Sequence, residues 1–166
     1  MTGPEPLRVV IAEDAALFRE GLARLIADHG HRVVAAVADA GALIASVAEH
    51  DPDVAVADIR MPPTHTDEGL RAAIEIRRDH PRTGMLMLSQ YIETMYAARL
   101  LGGNAAGVGY LLKDRVADVA EFADALARVA AGGTALDPEV VSQLVRASRH
   151  TGGLATLTPR GVTCSP

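Results

Sequence analysis

Short apolar runs alternate along the chain with longer stretches in which apolar residues recur every three or four positions. Leu7–Ala12, Arg32–Val37, Val54–Ala57, Met85–Leu88 and Val108–Leu112 lack a helical period, are bounded by charged residues, glycine or proline, and predict five strands. Between them the apolar positions fall on helical faces. Leu17, Phe18, Leu22, Leu25 and Ile26 share a face over Ala15–Asp28, and Leu43, Ile44 and Val47 share one over Ala40–Glu49, which Asp39 caps. Leu70, Ile74 and Ile76 mark a helix from about Glu68 to Asp79, and Glu93–Leu101 reads as another. Val119, Phe122, Leu126 and Val129 mark a strongly amphipathic helix over Val116–Ala131. Gly30, His80-Pro81, the glycine-rich Gly102–Gly109 and Gly132-Gly133 supply the stops. Five strand–helix alternations predict an α/β, doubly wound, five-stranded parallel sheet with helices on both faces and right-handed crossovers.

In such sheets the functional crevice lies outside the carboxyl ends of the strands. Glu13-Asp14 follow the first run, Asp58 the third, Ser89 the fourth and Lys113 the fifth, so the topology carries all of them to one rim. Each also has an ordinary reading. Glu13-Asp14 and Ser89 suit helix caps, Asp58 a turn, Tyr110 a half-buried strand aromatic and Lys113 a surface charge. Taken together, three carboxylates in one crevice repel, and a hard divalent cation such as Mg²⁺, which prefers carboxylate oxygens and water, relieves that repulsion. No cysteine and histidine cluster competes to make a zinc site. An ammonium and a hydroxyl beside the carboxylates suit a phosphoryl group, and one carboxylate can then act as a nucleophile and form an acyl phosphate.

Composition narrows the alternatives. The net charge of −5 and the lack of any basic run do not suggest a nucleic-acid surface. The single cysteine, Cys164, permits no internal disulfide and fits a reducing, cytoplasmic setting. No apolar run approaches the ~20 residues of a membrane span, and Met1–Pro6 lacks a signal pattern. Fifteen arginines stand against one lysine, Lys113, which sets that residue apart from an ordinary surface charge. His29, His31, His50 and His80 show no ligand spacing and read as solvated; His65, in the loop after Asp58, reads the same way, with a modulating role the lesser alternative. Gly102–Gly109 precedes a strand instead of following one, which rejects a dinucleotide fingerprint.

Glu13-Asp14, Asp58, Met61-Pro62, Ser89, Tyr110 and Lys113, in this order and each at its strand end, resemble the receiver domain of bacterial two-component response regulators over roughly Leu7–Gly133. Gly109–Asp114 and Leu136-Asp137-Pro138 are similar to the NarL/FixJ (LuxR-type) branch, in which a receiver precedes a helix-turn-helix domain. The resemblance implies a flavodoxin-like fold, with Asp58 as phosphoacceptor and a sensor histidine kinase as donor. It implies Mg²⁺ on Glu13, Asp14, Asp58 and the backbone carbonyl of Arg60, and Lys113 paired with the phosphoryl group. Ser89 and Tyr110 would form the switch, with Ser89 moving to the phosphoryl group and Tyr110 turning inward, and a homodimer is among the outputs implied. The chemistry is self-modification, not enzymatic turnover. Two departures stand out: the loop Pro62–Gly69 is longer than the usual Met-Pro-x-x-Asp-Gly link, and Gln90 occupies a position where many receivers place a small residue.

Two other classes compete. A stand-alone receiver could act as a phosphorylation-independent module that titrates a kinase or a full-length regulator. A phosphohydrolase of the haloacid dehalogenase type also uses a strand-end aspartate, but wants a second aspartate where this chain has Arg60. Beyond a receiver over residues 1–133, residues 134–166 read as a linker helix (Pro138–Ser148), a polar linker (Arg149–Ala155) and Leu157-Thr158-Pro159-Arg160, the opening of a DNA-binding domain in the NarL/FixJ branch. Only Gly161–Pro166 follow, so specific DNA binding by this chain alone is not expected. A reading-frame shift would explain such an ending, because a neighbouring frame compatible with Val162–Pro166 can encode Arg-Asp-Val-Leu-Ala-Leu. The nucleotide sequence tests this.

Overall fold

The computed structural model describes residues 6–91, 94–101, 106–143 and 145–146. The five expected strands form: β1 (Arg8–Ala12), β2 (Arg32–Val37), β3 (Val54–Asp58), β4 (Gly84–Ser89) and β5 (Val108–Leu112). Between and after them lie α1 (Ala16–Asp28), α2 (Ala40–His50), α3 (Glu68–Asp79), α4 (Thr94–Leu101) and α5 (Val119–Ala130). A sixth strand, β6 (Thr134–Leu136), pairs parallel with β5 and extends the sheet to the order β2-β1-β3-β4-β5-β6. Three residues are too few to show a period, which is why the sequence pattern does not announce it. Residues 138–143 and 145–146 are helical, in keeping with the expected linker helix. Arg149–Ala155 and Leu157–Arg160 lie outside the described residues.

The central strands β3 and β4 are buried on every residue, and polar only at their last residues Asp58 and Ser89, because both faces of the sheet are covered. Alternate residues feed two cores. Val10, Ala12, Ala55, Met85, Met87 and Tyr110 pack with Leu43 and Val47 of α2, Leu70 and Ile76 of α3, and Val140 of the C-terminal helix. Val9, Ile11, Val54, Val56, Leu86 and Leu88 pack on the other face with Leu22 and Ile26 of α1 and Phe122, Leu126 and Val129 of α5. The parallel register sets Ala12 beside Ala57, Ala57 beside Met87, and Met87 beside Tyr110. The strands therefore end on one line, and the residues that follow them share a rim.

Several positions depart from the expected helical faces. Leu17 is 87% exposed, because it lies five residues before Leu22, about 140° around the helix from the buried stripe. Ile74 and Val119 are also at the surface. The last long helix starts later than its apolar pattern suggests. Lys113–Ala117 forms a 3₁₀ turn, and Asp118 then caps α5 by accepting the Glu121 amide at 3.2 Å. His31 is not simply solvated: its Nδ1 accepts the Leu7 amide at 3.0 Å, and partial burial, followed by the nearby His29, lowers its pKa.

Candidate functional site

β3 carries Asp58 to the rim, where its side chain is largely buried. Asp58 Oδ2 accepts from Lys113 Nζ at 2.8 Å, and Oδ1 accepts the Arg60 amide at 3.2 Å. Glu13, at the end of β1, is buried as well. Its Oε2 accepts the Ala15 amide at 3.0 Å, and its Oε1 forms an ion pair with Lys113 Nζ at 2.9 Å. That contact falls outside hydrogen-bond alignment, and Oε1 has no other hydrogen-bond partner among the described residues. Lys113 thus bridges two carboxylates from two strands, and its ammonium also lies 5.0 Å from the centre of the Phe18 ring.

The electrostatics follow from this crowding. Burial pushes the Glu13 carboxyl above its ordinary range, with the Asp58 charge adding to the rise and the Ala15 amide and Lys113 only partly offsetting it. Burial lowers the Lys113 pKa, but the hydrogen bond to Asp58 and the ion pair with Glu13 outweigh that, so the ammonium is held more firmly than usual. For Asp14 the modest burial is overcome by hydrogen bonds, first from His65, and its carboxyl is held below the ordinary range.

One carboxylate oxygen from each of Glu13, Asp14 and Asp58 lies within 4.8 Å of the others. An all-oxygen set of three carboxylates, one with a buried oxygen lacking an aligned donor, fits a hard cation such as Mg²⁺. These groups line an open pocket of about 300 Å³ together with Ala15, Arg60, His65, Gln90 and Lys113. The two switch candidates lie apart from it. The Ser89 hydroxyl is buried and donates to the Tyr91 carbonyl, and Tyr110 is fully buried in the core beside Met87 and Val140.

The long loop after Asp58 is ordered by its own polar groups. The Glu68 carboxylate, at the start of α3, accepts the Thr64 amide at 2.8 Å, the Thr66 amide at 3.0 Å and the Thr64 hydroxyl. These bonds, that of the Thr64 hydroxyl first, bring its pKa down from 4.5 to about 2. Asp67 pairs with Arg71 at 3.0 Å and with Arg99 of α4 at 3.1 Å. His65, between the two clipped threonines, points back across the pocket and reaches Asp14 Oδ2 with Nε2 at 2.8 Å. From the chain alone His65 reads as a solvated loop histidine, because its partner lies 51 positions away; the extra loop length is the only signal against that reading. At Gly69 a Cβ would lie 1.8 Å from the Asp58 carbonyl oxygen, so only glycine lets α3 start against the strand that bears Asp58.

The sheet order, the acidic rim and the bridging lysine define a flavodoxin-like α/β domain with a strand-end acidic pocket, and the comparisons with known proteins agree. Residues 9–126 match the response regulator receiver domain family, and the chain belongs to that family. It is 33% identical over 145 residues to the transcriptional regulatory protein DegU of Brevibacillus brevis, covering 87% of this chain and 58% of that protein. Among solved structures, a LuxR-family two-component response regulator from Aurantimonas superposes with a TM-score of 0.74 at 26% identity, covering 87% of this chain and 99% of that one. The signal receiver domain of NarL from Mycobacterium tuberculosis superposes with a TM-score of 0.62 at 34% identity, covering 75% and 98%. The chain spans 58%, 70% and 62% of the length of three similar curated relatives. No helix among the described residues is long and apolar enough to cross a membrane.

Proposed function

We propose that the chain is the phosphoryl-accepting switch of a two-component pathway, with Asp58 taking a phosphoryl group from a phosphohistidine of a sensor histidine kinase. The observation that carries this reading is the convergence at one strand-end pocket of Asp58, two further carboxylates within 4.8 Å, and Lys113 at 2.8 Å from Asp58 Oδ2. A carboxylate oxygen of Asp58 forms the new P–O bond as the P–N bond of the donor breaks. The donor imidazole keeps that electron pair and takes up a proton. Glu13, Asp14, Asp58 and the Arg60 carbonyl would hold Mg²⁺, which when bound supplies positive charge to the phosphoryl oxygens. Lys113, partly desolvated and charged, would add its own positive charge beside Asp58 Oδ2.

The acyl phosphate adds negative charge beside Glu13, Asp14 and the single ammonium of Lys113. Ser89 would exchange the Tyr91 carbonyl for a phosphoryl oxygen, releasing the end of β4. Tyr110 is already inside, so its part in the switch is the packing between β5 and the C-terminal helix. Transcriptional control, suggested by the names of the relatives, would then act through a DNA-binding domain and a dimer.

The test is incubation with Mg²⁺ and acetyl phosphate followed by intact mass measurement. One phosphoryl group on the wild type and none on Asp58→Ala is the expected result. A folded wild type that binds Mg²⁺ and gains no phosphoryl group would overturn the proposal, and so would addition that persists in Asp58→Ala.

A further inference from the structure

We infer that His65 is a positioning residue for Asp14, delivered to the acidic pocket by the long loop after Asp58 so that this carboxylate is held ready for a cation. The inference rests on the reading of the pocket as an Mg²⁺ site.

The loop is built to aim this side chain. His65 has φ +54°, a left-handed conformation that a non-glycine residue keeps only where its surroundings impose it. The surroundings do so from both sides. Glu68 clips Thr64 and Thr66, the neighbours of His65, and the His65 amide donates to the Met61 carbonyl at 2.9 Å. The imidazole therefore leaves the loop in a fixed direction and meets Asp14 Oδ2 at 2.8 Å, across a separation of 51 residues.

The three carboxylates are not equally supported. Lys113 pairs with Glu13 and Asp58, both deeply buried. Asp14 is the outermost of the three, and its ion-pair partner is His65. An outer carboxylate without a fixed partner would turn through its rotamers in solvent. Asp14, as a carboxylate, can only accept, so His65 Nε2 carries the hydrogen of their bond. That bond occupies one lone pair and leaves the other acceptor positions of Asp14 for a cation. An N–H donor orients a metal-binding carboxylate from outside the coordination sphere, and removing such donors typically weakens metal affinity by about 10–100-fold.

The test is calorimetric titration of the full chain with Mg²⁺ at one fixed pH, comparing wild type, His65→Ala and His65→Gln. Both variants lose the imidazole and face the same backbone conformation, but the glutamine carboxamide can place an N–H where Nε2 stands. The expected result is about tenfold weaker binding in His65→Ala and recovery of most of that loss in His65→Gln. The imidazole nitrogen resonances of His65 provide a second readout and should shift on Mg²⁺ addition to the wild type. Circular dichroism confirms that both variants are folded. Wild-type affinity in His65→Ala would overturn the inference, as would a folded His65→Gln that binds as weakly as the alanine variant. A folded wild type that takes up no Mg²⁺ would instead overturn the metal-site reading, and the inference with it.

Discussion

Asp137 is fully buried between the end of β5 and the C-terminal helix, and its replacement is a demanding test of how that helix is attached. Its carboxylate accepts the Leu112 amide at 3.2 Å, the Glu139 amide at 3.0 Å and Arg115 Nε at 2.9 Å. In Asp137→Ala the Glu139 contact is a lost helix cap, costing about 1 kcal/mol. The Leu112 amide loses a charged acceptor in a part-buried position, costing about 2 kcal/mol. Arg115 is one-third exposed and can turn to water, so it adds little. The sum is about 3 kcal/mol, a large share of the 5–15 kcal/mol that holds a typical domain together. Urea unfolding followed by far-ultraviolet circular dichroism measures it. With a slope of about 2 kcal/mol/M the midpoint should fall by about 1.5 M. The loss also carries a pH signature. Burial alone would raise this carboxyl, but the bonds from Arg115, Glu139 and Leu112 outweigh it and hold its pKa below the ordinary 3.8. Its stabilisation is therefore complete above that value and disappears as pH falls through the lower folded-state value, so wild type and variant should converge in acid. A loss below about 1 kcal/mol at neutral pH would refute the assignment of these three bonds to the attachment of the helix.

Three further perturbations follow from the same geometry. Gly69→Ala would drive a methyl into the Asp58 backbone, 1.8 Å from its carbonyl oxygen, and should cost more than about 3 kcal/mol in thermal unfolding; a normal melting temperature would refute the tight approach of α3 to β3. Glu13→Gln removes one of three crowded carboxylates whose pKa is raised by burial, so it should raise the metal-free melting temperature by about 2–4 °C at neutral pH while abolishing the stabilisation that Mg²⁺ confers; a lower metal-free melting temperature would contradict the crowding. Glu68 titrates at about 2 in the fold against an ordinary 4.5, so its clip on the loop is complete above 4.5 and is lost as pH falls toward 2; the protection of the Thr64 and Thr66 amides, relative to their intrinsic exchange at each pH, should fall across that window in the wild type and be absent throughout in Glu68→Ala.

The parts of the site that could be read from the chain alone were those tied to strand ends. Parallel strands in register must finish on one rim, so Glu13, Asp14, Asp58 and Lys113 could be brought together from order and periodicity alone. The groups that escaped act through contacts with no local signature. His65 looks like any loop histidine until Glu68 fixes the turn that aims it. Asp137 sits in a segment that reads as the start of a linker, and its partner Leu112 is 25 residues away. The Ser89 hydroxyl, aimed at the Tyr91 carbonyl, is a matter of side-chain orientation that no pattern of residue types encodes. Leu17 shows the opposite error, since a helical period marks a broad apolar sector and cannot say where burial stops.

The solitary lysine has a consequence for chemists. Apart from the amino terminus, reagents that acylate amines have a single target in this chain, and it is Lys113 at the centre of the rim. Clamped between Glu13 and Asp58, that amine is a poor nucleophile while both ion pairs hold. Its labelling rate is thus a native clock for the pocket, quickening when a bound cation or a modified Asp58 draws either carboxylate away, and readable by mass without any introduced probe.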